Sequence, residues 1–341
     1  MDLLGGDYCG VGVGSDTAGS MVGLDDRLPT AANYRRFARA EAATRSPAYE
    51  HLALFVAGNP SLLDFLTGLP FEKRQPNLLF AAARYLLGVP ADADTLLGLV
   101  TERGPELAAV MGSRRTQTNE AARCALLLPA LAMLPQPLAL LEVGAAAGLT
   151  LLPDSYSYDY DGRSVRGRDA QAPTMSCHLS GPAPLPEETP TVAWRAGLDL
   201  NPLDVNNDDD LDWLACLIWP GEDDRLKRLY DAAAAARRVR PELYQGDLLD
   251  NLGDIAAGAP QDATLVVYHT AVLAYVDAAK RAAFATAVAE LGATWLSNEA
   301  PGVVAGLKSD HDGGGFLLGR DGREVIAHTD PHGTWLHWGD G

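Results

Sequence analysis

The feature that most constrains this chain is the stretch from Leu138 to Gly148, LALLEVGAAAG: an apolar run, one acid, then two glycines four residues apart. A short apolar run bounded by turn residues reads as a buried strand. Gly144 then turns the chain, and the spacing predicts a helix opening near Gly148. Such a junction leaves backbone N–H groups at a helix N-terminus, where a carboxyl group, ribose or phosphate of a nucleotide-like ligand docks. Glu142, the last acid of the strand, is placed to take hydroxyl or ammonium donors from the same ligand. The alternative is a plain packing turn, common to α/β folds in general.

The surrounding sequence decides what kind of sheet this strand enters. Residues 1–29 are rich in Gly, Ser and Asp without periodicity and read as a mobile arm. Gly10, Gly12 and Gly14 lie there without a strand–helix unit around them, so they are not a nucleotide loop. Residues 30–136 read as a helical domain or lid punctuated by Pro47, Pro60, Pro70, Pro76, Pro90 and Pro105, with Ser61 as one N-cap. From 137 to 341 strands alternate with helices. The strands are Ala139–Val143, Val192–Leu200, Glu242–Gln245, Ala263–Tyr268 and Thr294–Ser297. The helices are Leu211–Ile218, Asp224–Arg238, Leu248–Ala257 and Asp277–Leu291. That alternation predicts an α/β fold, a Rossmann-like doubly wound and mostly parallel sheet, with the N-terminal helical region before it. Residues 153–190, rich in proline, interrupt it as an insertion. A C-terminal β-hairpin segment turns at Arg320-Asp-Gly322, and Trp335, Leu336 and Trp338 form the last strand.

Composition narrows the partners. A net charge of −18 over 341 residues disfavours nucleic acid and anionic membrane surfaces. The basic groups Arg35, Arg36 and Arg39, and Arg114, Arg115 and Arg123, read as solvated helix faces. Cys9, Cys124, Cys177 and Cys216 are scattered, which predicts reduced thiols in place of a disulfide framework or zinc knuckle. No charged n-region precedes an apolar h-region and no apolar run has bilayer-spanning length, so the expected location is the cytoplasm.

Acids recur at the predicted strand ends. Glu142 and Gly144 close the first strand, and Asp199-Leu-Asn-Pro202 closes the second, where an acid accepts both ribose hydroxyls. Gly246-Asp247-Leu248 follows the third, where a carboxylate accepts from an exocyclic adenine amine. Tyr268-His269-Thr270 ends the fourth. Asp and Asn also cap helices after such strands, so the capping alternative stays open for Asp199 and Asp247.

The order Glu142-x-Gly144-x-x-x-Gly148, Asp199-x-x-Pro202, Gly246-Asp247 and a strand ending at His269 resembles the cofactor half of class I S-adenosylmethionine-dependent methyltransferases. Over nearly its full length the chain is also similar to an uncharacterised bacterial family catalogued as a domain of unknown function. The segments that carry this second likeness are Tyr34-Arg-Arg-Phe37, Glu142–Leu149, Gly197–Pro202, His269–Tyr275 and Ser297-Asn-Glu299. The methyltransferase resemblance implies S-adenosylmethionine as cofactor, bound by Glu142, Gly144, Gly148, Asp199, Asp247 and Leu248, and a small-molecule substrate. Three departures stand against the pattern. Ala146 replaces the usual middle glycine, the insertion is long, and the fourth strand lacks the Asn/Asp-Pro-Pro-Tyr of amino-methylating enzymes.

Methyl transfer to oxygen or nitrogen needs an aligned acceptor and removal of a proton. His269 is the candidate base, with a histidine hydrogen-bonded at a strand–helix junction as its alternative. Glu299 either orients the acceptor, acts as base, or caps. Tyr156, Tyr158 and Tyr160 either line an aromatic acceptor pocket or pack a hairpin face. A metal enzyme built on His311, His328, His332 and His337 is a weaker rival, because no helical His-x-x-x-His frames them. A Ser-His-Asp hydrolase lacks its Gly-x-Ser-x-Gly elbow. The serious alternative is a non-catalytic protein that binds a nucleotide or S-adenosylmethionine.

Overall fold

The computed structural model describes residues 26–309 and 314–339. The arm reading and its three glycines therefore lie almost wholly outside the described residues, as do Cys9 and His311. The described residues fall into two compact units. One holds those up to Thr118 together with Asp212–Leu226; the other holds Asn119–Leu211 and those from Lys227 onward.

The first unit is helical, as the proline spacing predicts. Helices span Arg27–Phe37, Pro47–Gly58, Pro60–Thr67, Pro76–Leu87 and Ala93–Ser113. Pro47, Pro60 and Pro76 each occupy a first-turn position, where the missing N–H has no intrahelical partner to lose. The cap of the third helix is Asn59 and not Ser61. The Asn59 side chain accepts from Ser61 N at 3.0 Å and Leu62 N at 3.2 Å. Pro105 does not end a helix; it sits inside Ala93–Ser113, which kinks at Arg103. Tyr34, Phe37, Tyr49, Phe80 and Trp219 form the aromatic centre of this unit, with Tyr34 and Phe37 edge-on to Phe80, Phe37 edge-on to Trp219, and Tyr49 tilted against Phe80 and Trp219.

The second unit is built on strands β1 (Leu138–Val143), β2 (Ser157–Tyr160), β3 (Arg163–Val165), β4 (Thr174–Ser176), β5 (His178–Ser180) and β6 (Val192–Asp199). They are followed by β7 (Glu242–Gln245), β8 (Thr264–Thr270), β9 (Thr294–Glu299), β10 (Phe316–Arg320), β11 (Glu324–Thr329) and β12 (Trp335–Trp338). Nine of them form one sheet in the order β5-β12-β11-β10-β9-β8-β1-β6-β7. From β9 to β7 every pairing is parallel. β10, β11 and β12 continue as an antiparallel meander, and β5 closes the other edge parallel to β12. The fold is thus mixed α/β with a large, mostly parallel central sheet.

Every residue of β1 is buried, because it is hydrogen-bonded on both sides in the middle of the parallel block. The chain runs outward from β1 to β6 and β7, then returns to β8 on β1's other side. That reversal makes the carboxyl ends of β1 and β8 a topological switch point, where crevices open in such sheets. The β10–β11 turn is the tight hairpin expected, with Asp321 at φ 52° and Gly322 at φ 62°.

One expectation fails. No α-helix opens near Gly148; the chain makes only a 3-10 turn, Leu149–Leu151, before the insertion begins. The carbonyls a helix would use are already engaged. Tyr156 donates its hydroxyl to Leu149 O at 2.7 Å, Tyr268 to Thr150 O at 3.0 Å and Tyr158 to Pro153 O at 2.6 Å. Pro153 also disfavours helical backbone in the residue before it. The same hydroxyls give the Tyr156, Tyr158 and Tyr160 row its role. All three are buried, Tyr160 reaches Ala125 O at 2.7 Å, and they pack the three-stranded sheet β3-β2-β4.

Candidate active site

The site is assembled from the loops that leave β1, β6 and β8. Gly144, at φ +73°, donates its N–H to Leu198 O at 2.7 Å, which ties the first loop to the end of β6. A Cβ there would lie 2.3 Å from Val272, so the absent side chain makes room for the β8 loop. Ala146 takes φ +47°, left-handed backbone that an alanine adopts only when its surroundings hold it. What holds it is Asp199, whose Oδ2 accepts from Ala146 N at 2.8 Å. Gly148, also left-handed, packs against Leu243 and Pro241.

Asp199 uses its other oxygen as well: Oδ1 accepts from Asn201 N at 2.8 Å. The carboxylate therefore ties the two loops together while remaining half-exposed at the strand tip. Asp247 is more fully committed. Lys280 donates to Oδ2 at 2.6 Å and Leu249 N to Oδ1 at 2.9 Å, and these bonds hold its carboxyl below the usual range. The Leu248 side chain belongs to the apolar core with Leu141, Val267 and Phe284.

Glu142 stands apart from these. It is 1% exposed, Thr150 Oγ1 donates to its Oε1, and Oε2 has no partner among the described residues. Burial pushes its pKa up from an ordinary carboxyl value of 4.5 to about 8; the Thr150 bond and the nearby Arg123 guanidinium oppose that rise only in part. At neutral pH this carboxyl is held protonated, a donor where an acceptor was expected.

His269 is fully buried on the opposite side of β8 from Tyr268. Trp295 Nε1 donates to its Nε2 at 3.0 Å, which fixes the proton on Nδ1, and Nδ1 donates to Glu299 Oε1 at 2.8 Å. Neither nitrogen has a lone pair left for a substrate proton. Glu299 Oε1 also accepts from Val272 N at 2.7 Å and Leu273 N at 2.9 Å. One carboxylate oxygen thereby clamps the whole turn after β8.

The sequence profile of a family described as "Uncharacterized protein conserved in bacteria (DUF2332)" matches residues 31–338. The chain belongs to this family. Comparisons with curated proteins and with solved structures find no match.

In this DUF2332 chain the structure brings Glu142, Gly144, Gly148 and Asp199 to one edge with the β8 loop. It gives His269 and Glu299 to the clamp on that loop. Among the described residues no three His, Cys, Asp or Glu side chains gather as a metal site, and no helix is long and apolar enough to cross a membrane. Two residues at the edge escaped the sequence reading. Arg123, expected on a solvated face, is 6% exposed and donates from Nη1 to Thr270 O at 3.2 Å and from Nε to Pro331 O at 2.8 Å. The signal was its neighbourhood, an almost purely apolar run from Cys124 to Ala132 that no exposed arginine should precede. The other is Asn298, fully buried on β9, for which the sequence offered only its place beside Glu299.

Proposed function

We propose that the carboxyl edge of β1, β6 and β8 binds S-adenosylmethionine and that the chain is a methyltransferase acting on a small molecule. The observation that carries this reading is the parallel order β7-β6-β1-β8-β9 with its reversal at β1. It sets an acid and a glycine turn at the end of the central strand beside a second acid at the next strand tip.

The residues present suit most of such a ligand. Asp199 accepts one backbone N–H on each oxygen and stands half-exposed at the tip of β6, the position from which a carboxylate meets a ribose. Glu142 Oε2 is a buried polar atom waiting for a partner. Asp247 suits less well, since an adenine amine would share its carboxylate with Lys280. When bound, the sulfonium supplies an electrophilic methyl group, and the protein's task is to align the acceptor and exclude water. His269, with both nitrogens committed, shapes the edge and does not remove the proton. An acceptor that is already anionic, or that loses its proton to water, matches this arrangement.

The same commitment of His269 favours one second reading, a non-catalytic protein that holds S-adenosylmethionine or another nucleotide. Formation of S-adenosylhomocysteine separates the two. Incubation with S-adenosylmethionine and a panel of small hydroxy, amino and carboxylic acids gives stoichiometric S-adenosylhomocysteine with at least one acceptor under the first reading. Saturable binding without turnover on any acceptor establishes the second.

A further inference from the structure

The insertion between β1 and β6 carries a cavity lined by none of the residues at the carboxyl edge. It is an open groove of ≈ 480 Å³ within the second unit, inside the range of about 300–1,000 Å³ that small-molecule sites occupy. Strand register explains what lines it. Ser157 stands opposite Thr174 across β2 and β4, and Asp159, two residues on, stands opposite Ser164 across β2 and β3. Opposed residues share a face of a sheet, as do residues two apart, so Ser157, Ser164 and Thr174 lie together on one face. Arg166, two residues past Ser164, joins them, and its backbone bridges to Glu188. That bridge brings Glu187 and Glu188 alongside as the wall of the groove. Tyr158 and Val165, each 1% exposed, complete the lining.

The side chains in the groove decide what chemistry suits it. Among the described residues Ser164, Arg166, Thr174, Glu187 and Glu188 spend no side-chain hydrogen bond or ion pair on the protein itself. One guanidinium and two carboxylates thus share a groove without pairing, beside a row of hydroxyls: donor-only, acceptor-only and two-way groups together. An anion meets the two carboxylates and a cation meets the guanidinium. In an open groove, solvent screens what ionic attraction is left. A short zwitterion leaves the hydroxyls unused. A sugar engages every group, because its hydroxyls donate to carboxylates and accept from a guanidinium, and adjacent ring hydroxyls match the two-pronged geometry of both. We propose that this groove is a binding site for a neutral sugar. Its wall is stiffened in advance: Pro182, Pro184, Pro186 and Pro190 restrict the segment that carries the glutamates, so docking orders little chain. The site goes beyond the methyltransferase reading and does not depend on it.

The test is saturation-transfer NMR on the full chain with glucose, galactose, N-acetylglucosamine, maltose and trehalose. Glycine betaine and spermidine serve as the zwitterionic and cationic comparisons. The site predicts saturable binding of at least one sugar, weakened about tenfold or more by Arg166→Ala, which removes the charged donor. Thr174→Trp, which fills the groove from β4, abolishes the same binding. Both positions are exposed, circular dichroism checks that each variant folds, and either variant alone decides the matter if the other does not. Saturable binding of betaine or spermidine with every sugar silent overturns the assignment of ligand class. Sugar binding indifferent to the folded variants overturns the location. No saturable sugar binding to the folded wild-type protein in the tens of millimolar overturns the site altogether.

Discussion

At the scale of single residues, burial reverses the chemistry that the sequence suggests for Glu142. Its pKa of about 8 lies above the unfolded value near 4.5, so the native state holds a proton the unfolded chain releases. Its contribution to stability is therefore full below pH 4.5 and is lost progressively as pH rises to about 8. Glu142→Gln, which keeps the Thr150 contact and carries no titrating group, leaves the melting temperature unchanged near pH 4.5. At pH 8.5 the substitution raises it by about 3 °C or more relative to wild type, as differential scanning calorimetry reads it. Gly144 is the complementary case, a residue whose missing atom matters. Gly144→Ala combines left-handed backbone strain with a Cβ 2.3 Å from Val272, and urea melts should show a loss of about 2–4 kcal/mol. Glycine followed by small residues in the sequence announced a tight turn. It did not announce that Val272 is what the turn accommodates, because that neighbour arrives on the loop after β8, more than a hundred residues away.

At the scale of elements, the parallel strands were legible because their signals are local. β1 is an unbroken apolar run, and β7 occupies the residues its pattern marks, Glu242–Gln245. The helix expected after Gly148 was not legible as a 3-10 turn. Its carbonyls are claimed by Tyr156, Tyr158 and Tyr268, and hydroxyl contacts at that distance leave no periodic trace. The loop after β8 shows the same limit. Glu299 and His269 announce themselves as candidate catalytic groups by type, yet three N–H donors converging on Glu299 Oε1 make them a clamp. A neutral amide accepts more weakly than a carboxylate. Glu299→Gln should therefore speed hydrogen exchange at the Val272 and Leu273 amides by about tenfold or more while the amides of β1 stay protected. Unchanged exchange at those two amides would contradict the clamp.

At the scale of the whole molecule, proline spacing separated a helical part from a sheet part. The division itself falls elsewhere than the sequence suggests. The buried helix Cys124–Ala132 belongs with the sheet unit, and Asp212–Leu226 joins the helical unit, with Trp213 and Trp219 in its core. A chain that leaves one unit and returns cannot be parsed from linear composition. Net charge, which composition does report, predicts that a charge of −18 prevents measurable retention on duplex DNA at about 0.15 M salt, as a filter-binding assay would show. The central claim, that the reversal of strand order at β1 builds an S-adenosylmethionine site, is tested most directly by calorimetric titration of wild type and Asp199→Ala. The account predicts saturable one-to-one binding of S-adenosylmethionine and S-adenosylhomocysteine by wild type, with affinity lowered at least about tenfold when the Asp199 carboxylate is removed. No heat of binding at millimolar ligand in a folded wild-type protein, or binding indifferent to Asp199→Ala, would contradict it.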